Sequence, residues 1–249
     1  MKKTGEKIIL GIDIGGSGIK GALVNIKTGV LVSERHRIPT PQPAKPKDVA
    51  KVLDQLIDYF DWRGKTVGCG FPAIVRKGVV FSASNIHNDW IGTNAKKLFS
   101  KNSKCKVSIL NDADAAGLAE VKFGAGKNNR GIILLITVGT GLGSALVHNN
   151  KIIQNTEFGH LYFKGMIAER YASDATRKKE NLTWQEWGER FNEYLLHLER
   201  LLNPDLFIIG GGASKRFSKF SNELTLQTKV VPANLLNNAG IIGAALFAK

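Results

Sequence analysis

Cysteine is scarce in this chain, and its placement argues against two common structural devices. Cys69 and Cys105 are the only two cysteines, and they form no C-x-x-C pair. Zinc sites usually draw on closely spaced cysteine and histidine ligands, so this spacing predicts no zinc site. Two isolated cysteines need no disulfide and are typical of a reducing compartment. We therefore predict a cytoplasmic protein without a metal site built from its own side chains.

Long apolar runs are also absent. The stretch Gly131–Val147 carries no charge, but glycines at 139, 141 and 143 interrupt it, and a membrane-spanning helix needs roughly 20 predominantly apolar residues. We interpret this stretch as two buried strands around a turn. The basic residues 1–7 are not followed by the apolar region and cleavage site of a signal peptide. No membrane partner is therefore predicted.

Acidic residues are the minority among the charged ones. The chain has 21 Asp and Glu against 35 Lys and Arg, which gives a formal net charge of +14 and a pI near 9.8. Such an excess attracts polyanions, whether nucleic acid, an anionic membrane or a phosphorylated polymer. Charge alone does not choose among them, and a basic surface kept for solubility is the simpler alternative.

Two segments share one pattern. In each, an apolar strand is followed by a glycine-rich turn that contains a hydroxyl residue, and then by a second apolar strand. They cover Ile8–Val24 and Ile132–Val147.

Gly16–Gly21 matches the dinucleotide fingerprint G-x-G-x-x-G, but a strand pattern follows where that motif needs a helix. A Walker loop is absent. Backbone N–H groups with the Ser17 and Thr140 hydroxyls could hold phosphate, and two tight hairpins without a ligand are the alternative.

Strand and helix patterns alternate along the rest of the chain, which predicts an α/β fold. One glycine loop in each half favours two duplicated domains, a small one over residues 1–110 and a larger one over 111–236. A C-terminal helix over about 237–249 is predicted to pack back on the first domain. The other predicted elements are helices over 47–60 and 112–123, strands over 66–70, 106–110 and 206–209, and a helix opened by the capping-box spacing Thr183–Glu186.

Polar residues at two places could carry chemistry. Asn111 and Asp112 stand where a strand passes into a helix, and a simple helix cap is one explanation. A kinase needs a carboxylate that accepts the proton of the substrate hydroxyl, so Asp112 is the candidate base and Asp114 the less favoured one. Glu157 and His160 lie close together around a glycine, and such groups suit vicinal sugar hydroxyls.

These segments resemble the ROK family of sugar kinases, which has the actin-like, hexokinase-type ATPase fold. The likeness is carried by Gly11–Ser17, Thr137–Gly143 and Leu110–Ala116, and it extends from about Ile8 to Ala245. Within the family, four further segments are similar to the branch of polyphosphate glucokinases: residues 40–43, 90–95, 124–129 and 155–160.

The resemblance implies phosphorylation of glucose at the 6-hydroxyl in a cleft between the two domains, with inorganic polyphosphate as the donor, ATP left open as a second donor, and Mg²⁺ accompanying the phosphates. Asp112 would be the base. Asn85, Asn111, Glu157, His160 and Glu169 would contact the sugar. The donor would be bound by Asp13, Gly15, Gly16, Ser17, Lys20, Gly139, Thr140 and Gly141, with Gly211 and Gly212 at the place where ATP-using members hold the nucleoside.

The sequence departs from the family in one respect. Many members carry a cysteine-rich zinc motif after the histidine, but residues 161–168 contain no cysteine, so no structural zinc is expected and His160 is left to serve the sugar. The resemblance also implies a homodimer. The alternatives are an ATP-dependent glucokinase or glucomannokinase and, more remotely, a nucleic-acid-binding regulator, although no nucleic-acid motif is present. A basic track for polyphosphate is predicted from Lys20, Lys122, Lys127, Arg130, Lys215 and Arg216.

Overall fold

The computed structural model describes residues 7–84 and 86–249, so the candidate residue Asn85 lies outside the described residues. The chain divides into two compact units. The first runs as far as Ala119 and takes in Asn238–Lys249, and the second is Glu120–Asn237. The sequence placed this boundary after residue 110. Within the described residues, no helix is both long and apolar enough to cross a membrane.

The first unit is built on a mixed sheet in the order β3-β2-β1-β5-β8, with β4 paired to β2. Strands β1 and β2 form an antiparallel hairpin, while β1, β5 and β8 run parallel. Helices α1 and α2 bury their apolar faces against this sheet. The elements are β1 Ile8–Ile14, β2 Ile19–Asn25, β3 Val30–Leu31, β4 His36–Ile38, α1 Pro46–Tyr59, β5 Thr66–Phe71, β6 Val75–Arg76, β7 Val79–Val80, α2 Ala95–Ser103, β8 Lys106–Asn111 and α3 Asp112–Phe123. The last turn of α3, from Glu120 on, is counted with the second unit.

The second unit repeats the central arrangement of the first. Its sheet has the order β11-β10-β9-β14-β15, with β9 and β10 an antiparallel hairpin and β9, β14 and β15 parallel. The predicted pair of buried strands around a turn at 131–147 is confirmed. The elements are β9 Ile132–Val138, β10 Leu142–His148, β11 Lys151–Ile153, β12 Tyr162–Phe163, β13 Met166–Ile167, α4 Glu169–Ala172, α5 Asp174–Lys179, α6 Trp184–Leu202, β14 Leu206–Gly211 and β15 Val230–Pro232.

Short 3₁₀ turns supplement these elements. They cover Asn88–Trp90, Phe158–His160, Ser221–Glu223 and Leu236–Asn238. The basic segment that follows the glycines of β14 is a 3₁₀ helix over Gly212–Lys219, with non-helical dihedral angles at Arg216. The hydroxyl of Ser214 donates to the carbonyl of Gly211 at 2.8 Å, and such local bonds compete with a regular α-helix.

The last helix, α7 Ala239–Phe247, belongs to the first unit. It lies on the backbone of β1 and β5, because a methyl group on Gly11 would overlap the Ile241 carbonyl and one on Gly68 the Ala244 carbonyl. Glycine alone permits this approach between helix and strand. The packing places the start of α7 beside the carboxyl end of β1.

The capping box predicted at the start of α6 is confirmed. The Thr183 hydroxyl accepts from the N–H of Glu186 at 3.2 Å, and the Glu186 carboxylate accepts from the N–H of Thr183 at 2.8 Å. Replacing an N-cap threonine by alanine costs about 1 kcal/mol. We therefore expect Thr183→Ala to lower the free energy of unfolding by about 1 kcal/mol in urea denaturation.

Glu186→Gln is the matched control, since glutamine also completes a capping box. It should keep most of the stability that Thr183→Ala loses. An unchanged denaturation midpoint for Thr183→Ala would contradict the importance of this cap.

Candidate active site

The first glycine loop connects β1 to β2 and is held by the segment that follows β4. Within the loop, the Gly15 N–H donates to the Gly18 carbonyl at 3.2 Å. The Thr40 hydroxyl donates to the Gly15 carbonyl at 2.5 Å, and the Gln42 amide donates to the Gly16 carbonyl at 3.2 Å. These bonds engage the loop carbonyls and fix the backbone whose N–H groups are the predicted phosphate ligands.

A cavity of about 290 Å³ borders this loop, close to the lower end of the ~300–1,000 Å³ usual for small-molecule sites. Thr40, Gln42 and His87 line it together with loop residues. Ser84 and Ile86 line it too, which places the neighbours of the predicted sugar contact Asn85 beside the first loop.

Asp13 is the penultimate residue of β1, partly buried between the buried Ile12 and Ile14, and it stands opposite Lys20 on β2. The two side chains form an ion pair, with 3.7 Å between Lys20 Nζ and Asp13 Oδ2. Burial raises the pKa of Asp13, and the positive charges of Lys20 and Arg35 act against that rise. Gly240 of α7 lies against the carboxylate, since a Cβ there would stand 3.0 Å from Asp13 Cγ.

Asp112 is the first residue of α3 and lies at the carboxyl end of β8. Asn111 performs the capping role, because its Oδ1 accepts from the N–H groups of Ala113 at 2.8 Å and Asp114 at 3.1 Å. Its amide nitrogen donates to the Ala73 carbonyl at 3.2 Å. The Asn111 side chain thus fixes the junction on which Asp112 stands. Asp114 is fully buried.

Asp112 and Asp13 border the same glycine. A Cβ on Gly70 of β5 would lie 3.6 Å from Asp112 Cα and 3.8 Å from Asp13 Oδ1. The parallel strands β1, β5 and β8 therefore bring both aspartates to one edge of the sheet. Ligands of α/β proteins gather outside this carboxyl edge.

The second glycine loop connects β9 to β10 in the second unit. The Gly139 N–H donates to the Gly141 carbonyl at 3.0 Å, which leaves Thr140 exposed at the tip. Beside it, β14 ends at Gly211, which pairs with Val138 of β9. Gly211 has φ +71°, and a methyl group there would overlap the Val138 carbonyl, so both the dihedral angle and the space require glycine. Gly212 follows directly.

His160 stands between two carboxylates of the second unit. Its Nδ1 lies 3.4 Å from Glu157 Oε2, and its Nε2 lies 3.7 Å from Glu169 Oε1. Burial raises the pKa of Glu157, His160 opposes that rise, and Glu169 adds to it. A methyl group on Gly141 would overlap Glu169 Oε2, so the second glycine loop touches the same cluster. The chain brings together residues 141, 157, 160 and 169 although they are far apart in sequence.

The structure thus collects the predicted site residues in two sets. The first unit holds Asp13, Gly15, Gly16, Ser17, Lys20, Asn111 and Asp112, and the second holds Gly139, Thr140, Gly141, Glu157, His160, Glu169, Gly211 and Gly212. Sequence reasoning did not assign a function to Arg37, Thr40 and Gln42, which contact the first loop. Residues 40–43 were marked only by the family resemblance, which gave no role to Thr40 or Gln42, and Arg37 was not marked at all. Among the described residues, no group of three or more His, Cys, Asp or Glu could hold a metal ion.

The sequence of this chain is similar to one protein family and to several known enzymes. The sequence profile described as the ROK family matches residues 9–176. The polyphosphate glucokinase of Mycobacterium tuberculosis is 48% identical over 244 residues, which is 98% of this chain and 92% of the relative. The polyphosphate glucokinase of Mycobacterium leprae is 47% identical over 238 residues, 95% of this chain and 73% of the relative.

Solved structures agree with the sequence matches. The inorganic polyphosphate/ATP-glucomannokinase of Arthrobacter sp. strain KM superposes with a TM-score of 0.92 at 44% identity, over 96% of this chain and 97% of the other. A ROK glucokinase of Streptomyces griseus shares the fold, with a TM-score of 0.81 at 23% identity over 97% and 99% of the two chains. The fold is the actin-like, hexokinase-type fold of ROK sugar kinases. This chain belongs to the ROK family.

Proposed function

We propose that this protein transfers a phosphoryl group from inorganic polyphosphate to the 6-hydroxyl of glucose, with ATP as a second donor. The observation that most directly supports this function is that Asp112 and Asp13 both border Gly70, because phosphoryl transfer needs a base near the donor phosphates. The relatives at 47–48% identity are named polyphosphate glucokinases, which favours this donor and this sugar.

In this proposal, Asp112 accepts the proton of the attacking hydroxyl as the phosphoryl group arrives. Its position at the first turn of α3 is fixed by the bonds that Asn111 makes to residues 73, 113 and 114. Asn111 orients the base through these bonds, and the family resemblance assigns it to the sugar as well. A positioned carboxylate of this kind typically contributes a factor of about 10²–10⁴ in rate.

Glu157, His160 and Glu169 are proposed to hold the other sugar hydroxyls, together with Asn85. Carboxylates accept hydrogen bonds, and an imidazole can accept or donate one. Buried polar groups of this type discriminate strongly against substrates that leave them unpaired. The three described side chains are each partly exposed, at 27%, 39% and 24% for Glu157, His160 and Glu169, so they are accessible to a ligand.

Both glycine loops are proposed to bind donor phosphates through backbone N–H groups other than those of Gly15 and Gly139, which donate within their own loops. Ser17, Thr140 and Lys20 would add side-chain donors. Gly211 and Gly212 would lie against the nucleoside when ATP is the donor. Mg²⁺ fits here without a preformed cluster, since it usually takes one or two carboxylates and substrate phosphates. Asp13 is the half-buried carboxylate that suits it, and bound Mg²⁺ would neutralise charge that develops on the transferred group.

The decisive measurement is glucose 6-phosphate formation with Mg²⁺ and either polyphosphate or ATP. We expect turnover with polyphosphate, and EDTA should abolish it because the donor phosphates then lack their counter-charge. Turnover with ATP but not with polyphosphate would support the kinase activity and contradict polyphosphate as the donor. No product with either donor would contradict the proposed reaction.

Glucomannokinase activity is the alternative that one observation favours. The Arthrobacter protein named polyphosphate/ATP-glucomannokinase is 44% identical to this chain. Comparing kcat/KM for glucose and mannose would separate the two. By resemblance we also propose a cytoplasmic homodimer that binds no nucleic acid. Light scattering after gel filtration and a gel shift at physiological salt test the last two statements.

A further inference from the structure

A row of three charged residues crosses the edge of the first unit's sheet. In the strand register, Asp13 of β1 stands opposite Lys20 of β2, and Lys20 stands opposite Arg37 of β4. Directly opposed residues of antiparallel strands project from the same face, with Cβ atoms about 4.5–5.5 Å apart. The side chains of Asp13, Lys20 and Arg37 therefore share one face. Ile19 and Ile38, on the other face, join the core.

Arg37 lies directly on the first glycine loop. Its Nη2 donates to the Ser17 carbonyl at 2.5 Å. A Cβ on Gly18 would stand 2.6 Å from Arg37 Cζ, so the guanidinium occupies the space that the glycine leaves open. A guanidinium carries five N–H donors in a planar fork, and Arg37 remains exposed. It can thus contact the loop and a ligand at the same time.

Positive charge outweighs negative charge around this row. Arg35, just before β4, donates to Asn238 Oδ1 at 3.4 Å, and its charge acts on Asp13. Lys20, Arg35 and Arg37 therefore lie on the β2 and β4 side of Asp13, whereas Asp112, the other carboxylate that borders Gly70, lies on the β5 and β8 side. On the β2 and β4 side, Glu34 is the acid next to Arg35 in the sequence. The surplus suits an anion that carries several charges.

We infer that Lys20, Arg35 and Arg37 form a subsite for the phosphoryl groups of polyphosphate that follow the reacting one. The inference rests on the proposed function and names the first part of the polymer's path. Arginine matches phosphate oxygens with its planar fork, so it suits a chain of repeated phosphates. The sequence-predicted track included Lys20 but neither arginine. The polymer then leaves the first loop across the β4 edge.

The test compares Arg37→Gln and Arg37→Lys with the wild type. Equilibrium binding of long-chain polyphosphate and of tripolyphosphate is measured without glucose, so that no phosphoryl transfer takes place, over a salt series; KM for both donors is measured separately with glucose. We expect Arg37→Gln to weaken long-chain binding about 3–10-fold and to reduce the slope of log K against log salt by about one. The loss for tripolyphosphate should be smaller. Arg37→Lys keeps the charge and should restore the slope.

Lys27→Gln is the matched control. Lys27 is exposed in the turn after β2, roughly 23 Å along the strand direction from Lys20 at about 3.3 Å per residue. Lys27→Gln also removes one positive charge, but at a position far from the first glycine loop, so it should leave the binding of both phosphate donors unchanged.

Equal losses for long-chain polyphosphate and tripolyphosphate would overturn the subsite, because Arg37 would then only position the loop. Unchanged long-chain affinity in Arg37→Gln would overturn it too. Failure of the wild type to turn over polyphosphate would contradict the proposed donor instead. The binding series would still decide the subsite, because it does not depend on turnover.

Discussion

Asp112→Asn is expected to lower kcat with polyphosphate and glucose by about 10²–10⁴-fold, while KM for glucose stays within a few fold. Asparagine keeps the shape of the side chain but cannot accept the hydroxyl proton. The loss should therefore fall on the chemical step. Asn111 caps α3, and asparagine keeps the Oδ1 with which Asp112 also accepts from the Ala113 N–H at 2.8 Å, so the substitution should leave the junction folded.

Asp114→Asn is the matched control, two residues further along the same helix. Asp114 is fully buried, so this variant should change the thermal midpoint more than kcat. Steady-state kinetics and thermal denaturation of both variants separate a base from a structural carboxylate. Near-normal turnover in Asp112→Asn would rule out Asp112 as the base. A large loss of kcat in Asp114→Asn with an unchanged thermal midpoint would transfer the role to Asp114.

Local sequence patterns were sufficient for most secondary structure. Helix α3 spans Asp112–Phe123, as predicted, and the capping box at Thr183 forms with both of its bonds. The strands around the second glycine loop also lie where the apolar runs predicted them. Each of these elements depends on residues within a few positions of one another, so the pattern contains the information.

The pairing of strands that are distant in the sequence could not be predicted from local patterns. Lys20 and Arg37 belong to one row only because β4 pairs with β2, and neither strand indicates that pairing alone. Similarly, Gly70 appears in the sequence as an ordinary strand glycine, but both Asp112 and Asp13 border it in the folded chain. Strand pairing and helix packing decide such contacts, and both depend on the whole fold.

The residues of the candidate site were likewise only partly predictable from local sequence patterns. Glu157 and His160 could be selected together, because they lie three residues apart. Glu169 entered only through the family resemblance, and its contact with His160 comes from tertiary structure. At Asn111 the sequence left a helix cap and a sugar contact open. The structure shows that its side chain makes the cap, and the sugar contact remains a prediction.

His160→Ala is expected to raise KM for glucose by about 10–100-fold, because hydrogen bonds to charged groups contribute about 1.5–3 kcal/mol each. The ring contacts Glu157 on one side and Glu169 on the other. Its removal deletes one proposed sugar ligand and leaves the two carboxylates without the group between them. The base Asp112 belongs to the other unit, so kcat should change less than KM.

The same variant should shift the pH dependence of sugar binding. Burial and Glu169 already raise the pKa of Glu157, and His160 is the group that lowers it. Without His160 the pKa of Glu157 rises further, so this carboxyl takes up its proton at a higher pH. A protonated Glu157 loses acceptor capacity for the sugar hydroxyls. The acid limb of kcat/KM for glucose should therefore move to higher pH in His160→Ala.

The measurement is kcat/KM for glucose from about pH 4 upward, because the group that takes up the proton is the Glu157 carboxyl, whose pKa lies above its ordinary value. His148→Ala is the matched control, because His148 is an exposed histidine of the same unit at the opposite end of β10 from the glycine loop. It should reproduce the wild-type profile. His160→Gln keeps a hydrogen-bonding side chain and should recover part of the affinity for glucose. A glucose KM within twofold of the wild type and an unmoved acid limb in His160→Ala would remove His160 from the sugar site and leave its two ion pairs a structural role.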